Sequence, residues 1–414
     1  MSQRHRNARE WWPWAGTGYS PRPMPSPDRD PEQVREAHAL RAAFAQFATL
    51  DALHASPEWP VLAARLSQLL AGVRMSAPEP AAGPSERSAQ VRVVQWNIEH
   101  GNRFEDIARA LTAEPALRAA DIVALNEVDL GMARSGNRDV AGELAARLGL
   151  HSAWAPLFLE STRGRDDDLL TALPEDNTES LFGLALLSRW PITAVRLVAL
   201  PGPEQALFER ERMAGRFIAL VCDIAHPVTP FVAVTVHLEV HRTRAHRATQ
   251  MRLLLAALAG ESRPVLLTGD WNTHTFDRGE RHAVLAAAWP LLAWPHGALS
   301  RRLRYPDAGP HREMLFEHLR AAGFEWEPIM DRAPTLDMRF SRLGEVHAMP
   351  RPLRALASCG LAWVERRSRL RLDWIAARGF APVAAHGATV PGLDGPGRAS
   401  DHAPITATLS LPEH

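Results

Sequence analysis

Val265-Leu266-Leu267-Thr268-Gly269-Asp270-Trp271-Asn272 (VLLTGDWN) reads as a buried apolar strand that stops at a glycine and then presents an aspartate and an asparagine one residue apart. Other apolar strands end the same way. "VVQWNIEHG" carries Asn97, Glu99 and His100, and "VALNEVD" carries Asn126, Glu127 and Asp129. "VTVHLEVH" contributes His237 and Glu239, while "LTGDWNTH" adds His274 to Asp270 and Asn272. "RLDWI" holds Asp373, and "ASDHAPI", opening the last strand, holds Asp401 and His402.

Taken singly, a polar residue at a strand end is a turn former or cap, and Asn126 and Asp129 read that way. A histidine inside "VTVHLEV" reads singly as a satisfied core residue. The set reads differently. Strand ends are where open α/β sheets hold ligands, and burying this many acids, amides and imidazoles without a cation is costly. Carboxylate and amide oxygens without thiolate suit a hard cation, Mg²⁺ or Mn²⁺, that keeps part of its water shell and binds substrate phosphate. Histidines in the same set supply proton transfer and charge near neutral pH. Phosphoester hydrolysis needs all of these.

Outward from these strands, β-branched runs alternate with helical periods. "VRVVQWNI", "DIVALNEV", "RFIALVCDI", "FVAVTVHLEV" and "APITATLSL" read as strands, and "RFEDIARALT", "DVAGELAARLGL" and "RTRAHRATQMRLLLAALAG" as helices. Parallel-type and hairpin connections occur together, so mixed sheets covered by helices are expected. Residues 1–29 read as a mobile Pro- and Arg-rich arm with a Trp-rich stretch, 30–75 as a helical extension, 76–89 as a linker, and 90–414 as the main domain. Asp30-Pro31-Glu32-Gln33 has the N-cap acid, first-turn proline and capping-box Gln of a helix start. The span 277–368 is helical and loop-like and carries the least functional signal.

Bulk properties remove other classes. The chain has 414 residues, 46% hydrophobic and 23% charged, the balance of a globular protein. Basic and acidic side chains number 47 each, so no global field recruits a polyanion or membrane surface. Lysine is absent, which excludes Schiff-base chemistry and the Walker loop. Cys222 and Cys359 are too few for a disulfide framework or a multi-cysteine zinc site. No apolar run reaches the roughly 18 residues of a membrane span, and the first residues lack a signal-peptide core; the expected address is the cytoplasm.

In this order, "QWNI", "LNEVD", "LLSRWPI", "TVHLEV", "TGDWN", "RLDWI" and "ASDHAPI" resemble the endonuclease/exonuclease/phosphatase superfamily, the deoxyribonuclease I-like fold, across roughly residues 91–411. The resemblance implies a four-layer α/β/β/α sandwich of two mixed sheets, with the site at one edge between them. It also implies roles. Asn97 and Glu127 match the asparagine and glutamate that bind the metal, and Asp401 the carboxylate close to it. Asp270 matches the acid that orients or deprotonates the attacking water, and Asn272 its phosphate- or metal-contacting neighbour. His402 matches the histidine that stabilises the transition state, with Asp373 paired to it. His237 matches the histidine of the deoxyribonuclease and sphingomyelinase branches.

The implied function is a Mg²⁺- or Mn²⁺-dependent phosphoric ester hydrolase acting on a phosphodiester. Its substrate is a phosphate ester, with nucleic acid and phospholipid headgroup as candidates, and no protein partner is identifiable. The alternative is a non-catalytic binding or scaffolding protein on the same fold. A zinc site from His237, Glu239, His241 and His246 is disfavoured, because the segment starts in a strand and the Glu is misplaced for H-E-x-x-H. Arg134, Arg138, Arg242, Arg244 and Arg247 lie in or beside loops expected near the site, where bidentate phosphate contacts are available.

Overall fold

The computed structural model describes residues 23–25, 30–78, 88–164, 168–202, 204–278, 289–337, 362–382, 387–395 and 397–412. The Trp-rich stretch, most of the expected linker and much of the 277–368 span lie outside them. Asp30 caps helix α1 (Pro31–Phe44), its carboxylate accepting the Glu32 N–H at 2.8 Å. The capping-box amide goes elsewhere, with Gln33 accepting from Arg74. Helices α2 (Leu50–Ala55) and α3 (Trp59–Leu69) follow, with Leu40, Phe44, Leu53 and Leu66 buried. They share one apolar cluster with α4 (Phe104–Ala113), α5 (Val140–Leu148) and one face of the larger sheet. The N-terminal helices therefore complete the outer layer. The expected helical extension ends in a strand instead: β2 (Val73–Ser76) pairs antiparallel with β5 (His151–Glu160), and β1 (Pro23–Pro25) pairs with β2.

The larger sheet runs β1-β2-β5-β6-β4-β3-β17-β15. It contains β3 (Gln90–Asn97), β4 (Ile122–Leu130), β6 (Leu181–Ser188), β15 (Ala381–Pro382) and β17 (Ile405–Ser410), with β8 (Met213–Gly215) beside β5 and β16 (Ala388–Thr389) beside β17. The smaller runs β14-β11-β10-β9-β7, from β7 (Ile192–Leu200), β9 (Phe217–Ile224), β10 (Phe231–His237), β11 (Val265–Asp270) and β14 (Asp373–Arg378). A short ladder of β12 (Leu336–Asp337) and β13 (Arg369–Leu370) lies apart. Both large sheets are mixed: β3/β4 and β10/β11 are parallel, most other pairs antiparallel. They pack face to face, β10 on β4 and β6, β11 on β3 and β4. Helix α8 (Arg244–Ala257), numbered after the short α6 (Asp168–Thr171) and α7 (Glu204–Ala206), and the helix Leu315–Ala321 pack on the smaller sheet. The expected four-layer α/β/β/α sandwich is what forms. No helix among the described residues is long and apolar enough to cross a membrane.

Gly269 shows how tightly the core strand is fitted. Its φ is +150°, and a Cβ there would lie 1.8 Å from the Val236 carbonyl oxygen of β10. That neighbour is backbone of an interior strand and cannot swing aside. Gly269→Ala is expected to destabilise the fold by about 1–3 kcal/mol, read as a lower urea midpoint. An unchanged midpoint would show that the ladder has slack here.

Candidate active site

Registry builds the site. Asp270 pairs across β11 with His237 of β10 on one side and Asp373 of β14 on the other, so three strand-end residues stand in one row. In the facing sheet, Asn97 pairs with Asn126 across β3 and β4. Asn97 Nδ2 donates to Glu127 Oε1 in its own sheet at 3.0 Å and, between the sheets, to Asp270 Oδ2 at 3.2 Å. Asn126 Oδ1 accepts the Asp270 N–H and the Gln95 amide, each at 2.7 Å, while its own Nδ2 reaches Thr235. Asn126 is thus no turn former. It stitches the two sheets directly beneath the site, and Asp129 is an ion-pair partner of Arg134.

Glu127 is aimed by a bulge. The β4–β6 register shifts between Leu125 and Val128, and Glu127 takes φ +54°, a left-handed conformation that is uncommon without glycine. Burial pushes its carboxyl up, but His100, His237 and the Asn97 amide outweigh that and hold it below its ordinary value. The His100 ring stands 3.5 Å from Glu127 and 4.0 Å from Asp129. Asn272, also left-handed at φ +49°, donates its N–H to Asp270 Oδ1 at 2.9 Å and its Nδ2 to Leu238 O at 2.7 Å.

His402 reaches the row from the loop before β17. Its Nδ1 is 2.8 Å from Asp373 Oδ2, and its Nε2 lies 3.8 Å from Asp270 Oδ2. Burial lowers an imidazole, yet Asp373, Asp401 and Asp270 together hold His402 well above its ordinary value. Asp270 moves up, through burial and then through Asp373. His237 Nε2 is 3.6 Å from the same Asp270 oxygen. Asp401 sits partly exposed at the rim beside Ser400, whose hydroxyl is held by Asn97 O at 2.7 Å. Seven of the eight residues expected from the sequence therefore lie at strand ends or in loops of one edge, and the eighth, Glu127, is turned to that edge by the bulge inside β4, which runs on to Leu130.

Whether this donor set fits a cation can be asked of the atoms. Asp270, Asp373 and His402 present ligand atoms within 4.8 Å of one another, and Asp373 Oδ1 is buried without a hydrogen-bond partner. Glu127 and Asp270 converge on a single NH₂ group. The protonated His402 answers the charge of Asp270 and Asp373, and the Glu127 and Asp270 oxygens that meet at the Asn97 amide suit a hard divalent ion. The residues fit. The disfavoured zinc grouping does not assemble: His246 turns to Pro201 O, and Glu239, the candidate for orienting His237, accepts the His241 N–H at 2.6 Å.

Sequence reading missed Thr335. Its hydroxyl accepts the N–H groups of Leu372 at 3.0 Å and Asp373 at 3.3 Å, while its carbonyl accepts the Ala403 N–H at 2.8 Å. One buried residue of the 277–368 span thereby clamps the Asp373 strand to the His402 loop.

No curated protein matches the chain. An endonuclease/exonuclease/phosphatase structure from Beutenbergia cavernae is similar at 19% identity, covering 78% of this chain and 72% of that one, with a TM-score of 0.47. The catalytic domain of human Nocturnin with bound sulfate is similar at 16% identity, 78% and 96% coverage and TM-score 0.41. The 3′ phosphatase NExo from Neisseria, bound to a product DNA hairpin, is similar at 15% identity, 77% and 98% coverage and TM-score 0.43. The model of the Endonuclease/Exonuclease/phosphatase family matches residues 94–402, most of the chain and every residue of the row, and the chain belongs to that family.

Proposed function

We propose that the protein is a divalent-metal-dependent phosphoesterase that cleaves a phosphodiester by in-line attack of water. One observation carries the reading: acids, amides and imidazoles from both sheets converge on Asp270 at a single edge. Glu127 and Asn97, with Asp401 at the rim, would hold Mg²⁺ or Mn²⁺. When bound, such an ion supplies several kcal/mol of charge stabilisation at the phosphoryl oxygens. Asp270 accepts a proton from the attacking water, its upward shift bringing it toward the range useful for a general base. The Asn272 N–H fixes the rotamer of that base, and the Asn272 side chain borders the phosphate. His402, kept protonated by Asp373, and His237 donate to the phosphoryl oxygens as charge builds there.

The test is hydrolysis of bis-p-nitrophenyl phosphate by the full chain. Turnover with Mg²⁺ or Mn²⁺ is expected, lost on chelation and reduced about 10²-fold or more in His402→Ala. No turnover by the wild type, together with no Mg²⁺ binding by calorimetry, would instead favour the scaffolding role.

A further inference from the structure

The loops that leave His237 and Asp270 do not part. Asn272 Nδ2 bonds Leu238 O, His274 Nε2 bonds Val240 O at 3.2 Å, and the Arg278 N–H bonds Arg242 O at 3.1 Å, so the two segments run side by side away from the catalytic row. Arg242 is five residues beyond His237, which sets it within about 17 Å at full extension.

Arginines crowd this rim, and most are spoken for. Arg247 pairs with Glu313 at 2.7 Å, both side chains fully buried, and Arg244 pairs with Asp277 at 3.2 Å. Elsewhere Arg138 bonds Glu143 and Arg134 bonds Asp129. Of the five arginines singled out in the sequence, only Arg242 has a guanidinium without a hydrogen bond or ion pair among the described residues. Arg278 adds a second one. Arg302 lies close by, donating to Thr275 Oγ1 and O. Asp277 and Glu313, already paired with Arg244 and Arg247, act on Arg302, and the acid near Arg242 and Arg278 is Glu239, which burial pushes toward its neutral form. Burial and Arg247 depress Arg278, and burial and Arg244 bring Arg302 down to about 10. Positive charge is therefore held in excess here, partly withdrawn from water, and no carboxylate among the described residues forms an ion pair with Arg242 or Arg278. Arginines so arranged match a phosphate.

We infer that Arg242 and Arg278 form a subsite for a second phosphate of the substrate, one that is not cleaved. The inference rests on the phosphoesterase reading for its meaning but not for its test. Two sources share this chemistry, the next phosphate of a nucleotide chain and a ring phosphate of a sugar headgroup.

The experiment compares paired substrates that differ by one phosphate: thymidine 5′-p-nitrophenyl phosphate with and without a 3′-phosphate, and glycerophosphoinositol with and without a 4-phosphate. In one pair the extra phosphate is expected to raise kcat/KM about tenfold or more, mainly through KM. Arg278→Gln and Arg242→Gln/Arg278→Gln should lose that gain while keeping turnover of the simpler substrate within about twofold. The pair that shows the gain identifies the source. No gain in either pair, or a gain that survives in the double variant, overturns the subsite. Calorimetry separates this outcome from a failure of the catalytic reading. Thymidine 3′,5′-bisphosphate and inositol 1,4-bisphosphate are each compared with their monophosphates, and one bisphosphate should bind the wild type about tenfold tighter, with no preference in the double variant. If catalysis is absent but this preference stands, the hydrolase assignment falls and the subsite remains. If the preference is absent, the subsite falls whatever the activity.

Discussion

Asp373→Asn is expected to lower kcat about 10²- to 10³-fold and to move the alkaline limb of the rate profile to lower pH. The sign follows from the pair. Burial alone would drive the His402 imidazole neutral, and Asp373, 2.8 Å from its Nδ1, is the largest opposing influence. A histidine whose ionisation is raised stays a cation until the pH climbs past that raised value, so activity that needs the cation is lost at high pH. Removing the carboxylate brings the ionisation down, and the loss begins at lower pH. KM should change less than kcat, because the charge matters most where the phosphoryl group gathers negative charge. An unaltered alkaline limb in the variant would remove His402 from the chemistry. A uniform loss at every pH, with KM and kcat falling together, would reduce Asp373 to a structural strut.

Most of the site was legible because Asn97, His237 and Asp270 end strands whose apolar runs are unambiguous, "VVQWN", "VTVH" and "LLTGD" becoming β3, β10 and β11, while "VALNE" became the part of β4 up to its bulge. The unread parts depend on contacts far apart in the chain. Strand β5 was missed because Pro156 interrupts it; the structure absorbs the proline at a register shift between Pro156 and Phe158. The bulge at Glu127 is set by β6 and leaves no local mark. Thr335 acts on Leu372 and Asp373, 37 and 38 residues on, from a span with no periodicity to announce it. Asn126 looked like a turn residue because its partners, Gln95, Thr235 and the Asp270 N–H, come from three other strands.

Arg134 was read as a loop arginine available to phosphate, and its burial predicts a larger effect on stability than on binding. Its guanidinium reaches Asp129 at 2.8 Å and Glu160 at 2.9 Å, with about 1% or less of all three side chains exposed. Arg134→Met keeps much of the volume but strands two carboxylates in the interior, a loss of about 3–5 kcal/mol and a fall in Tm on the order of 10 °C. The pH dependence identifies the cause. Burial already raises the Glu160 carboxyl against the pull of Arg134, and without the arginine it rises further above its unfolded value, so the folded variant takes up a proton more readily than the unfolded chain. Its stability is then greatest in acid and drains away as the pH rises through that raised value. The deficit against wild type should therefore shrink between pH 7 and pH 5, measured as paired melting curves. An equal deficit at both would assign the damage to packing. Asp129 also faces His100, which borders Glu127, so the variant should also lose activity at temperatures where it is still fully folded.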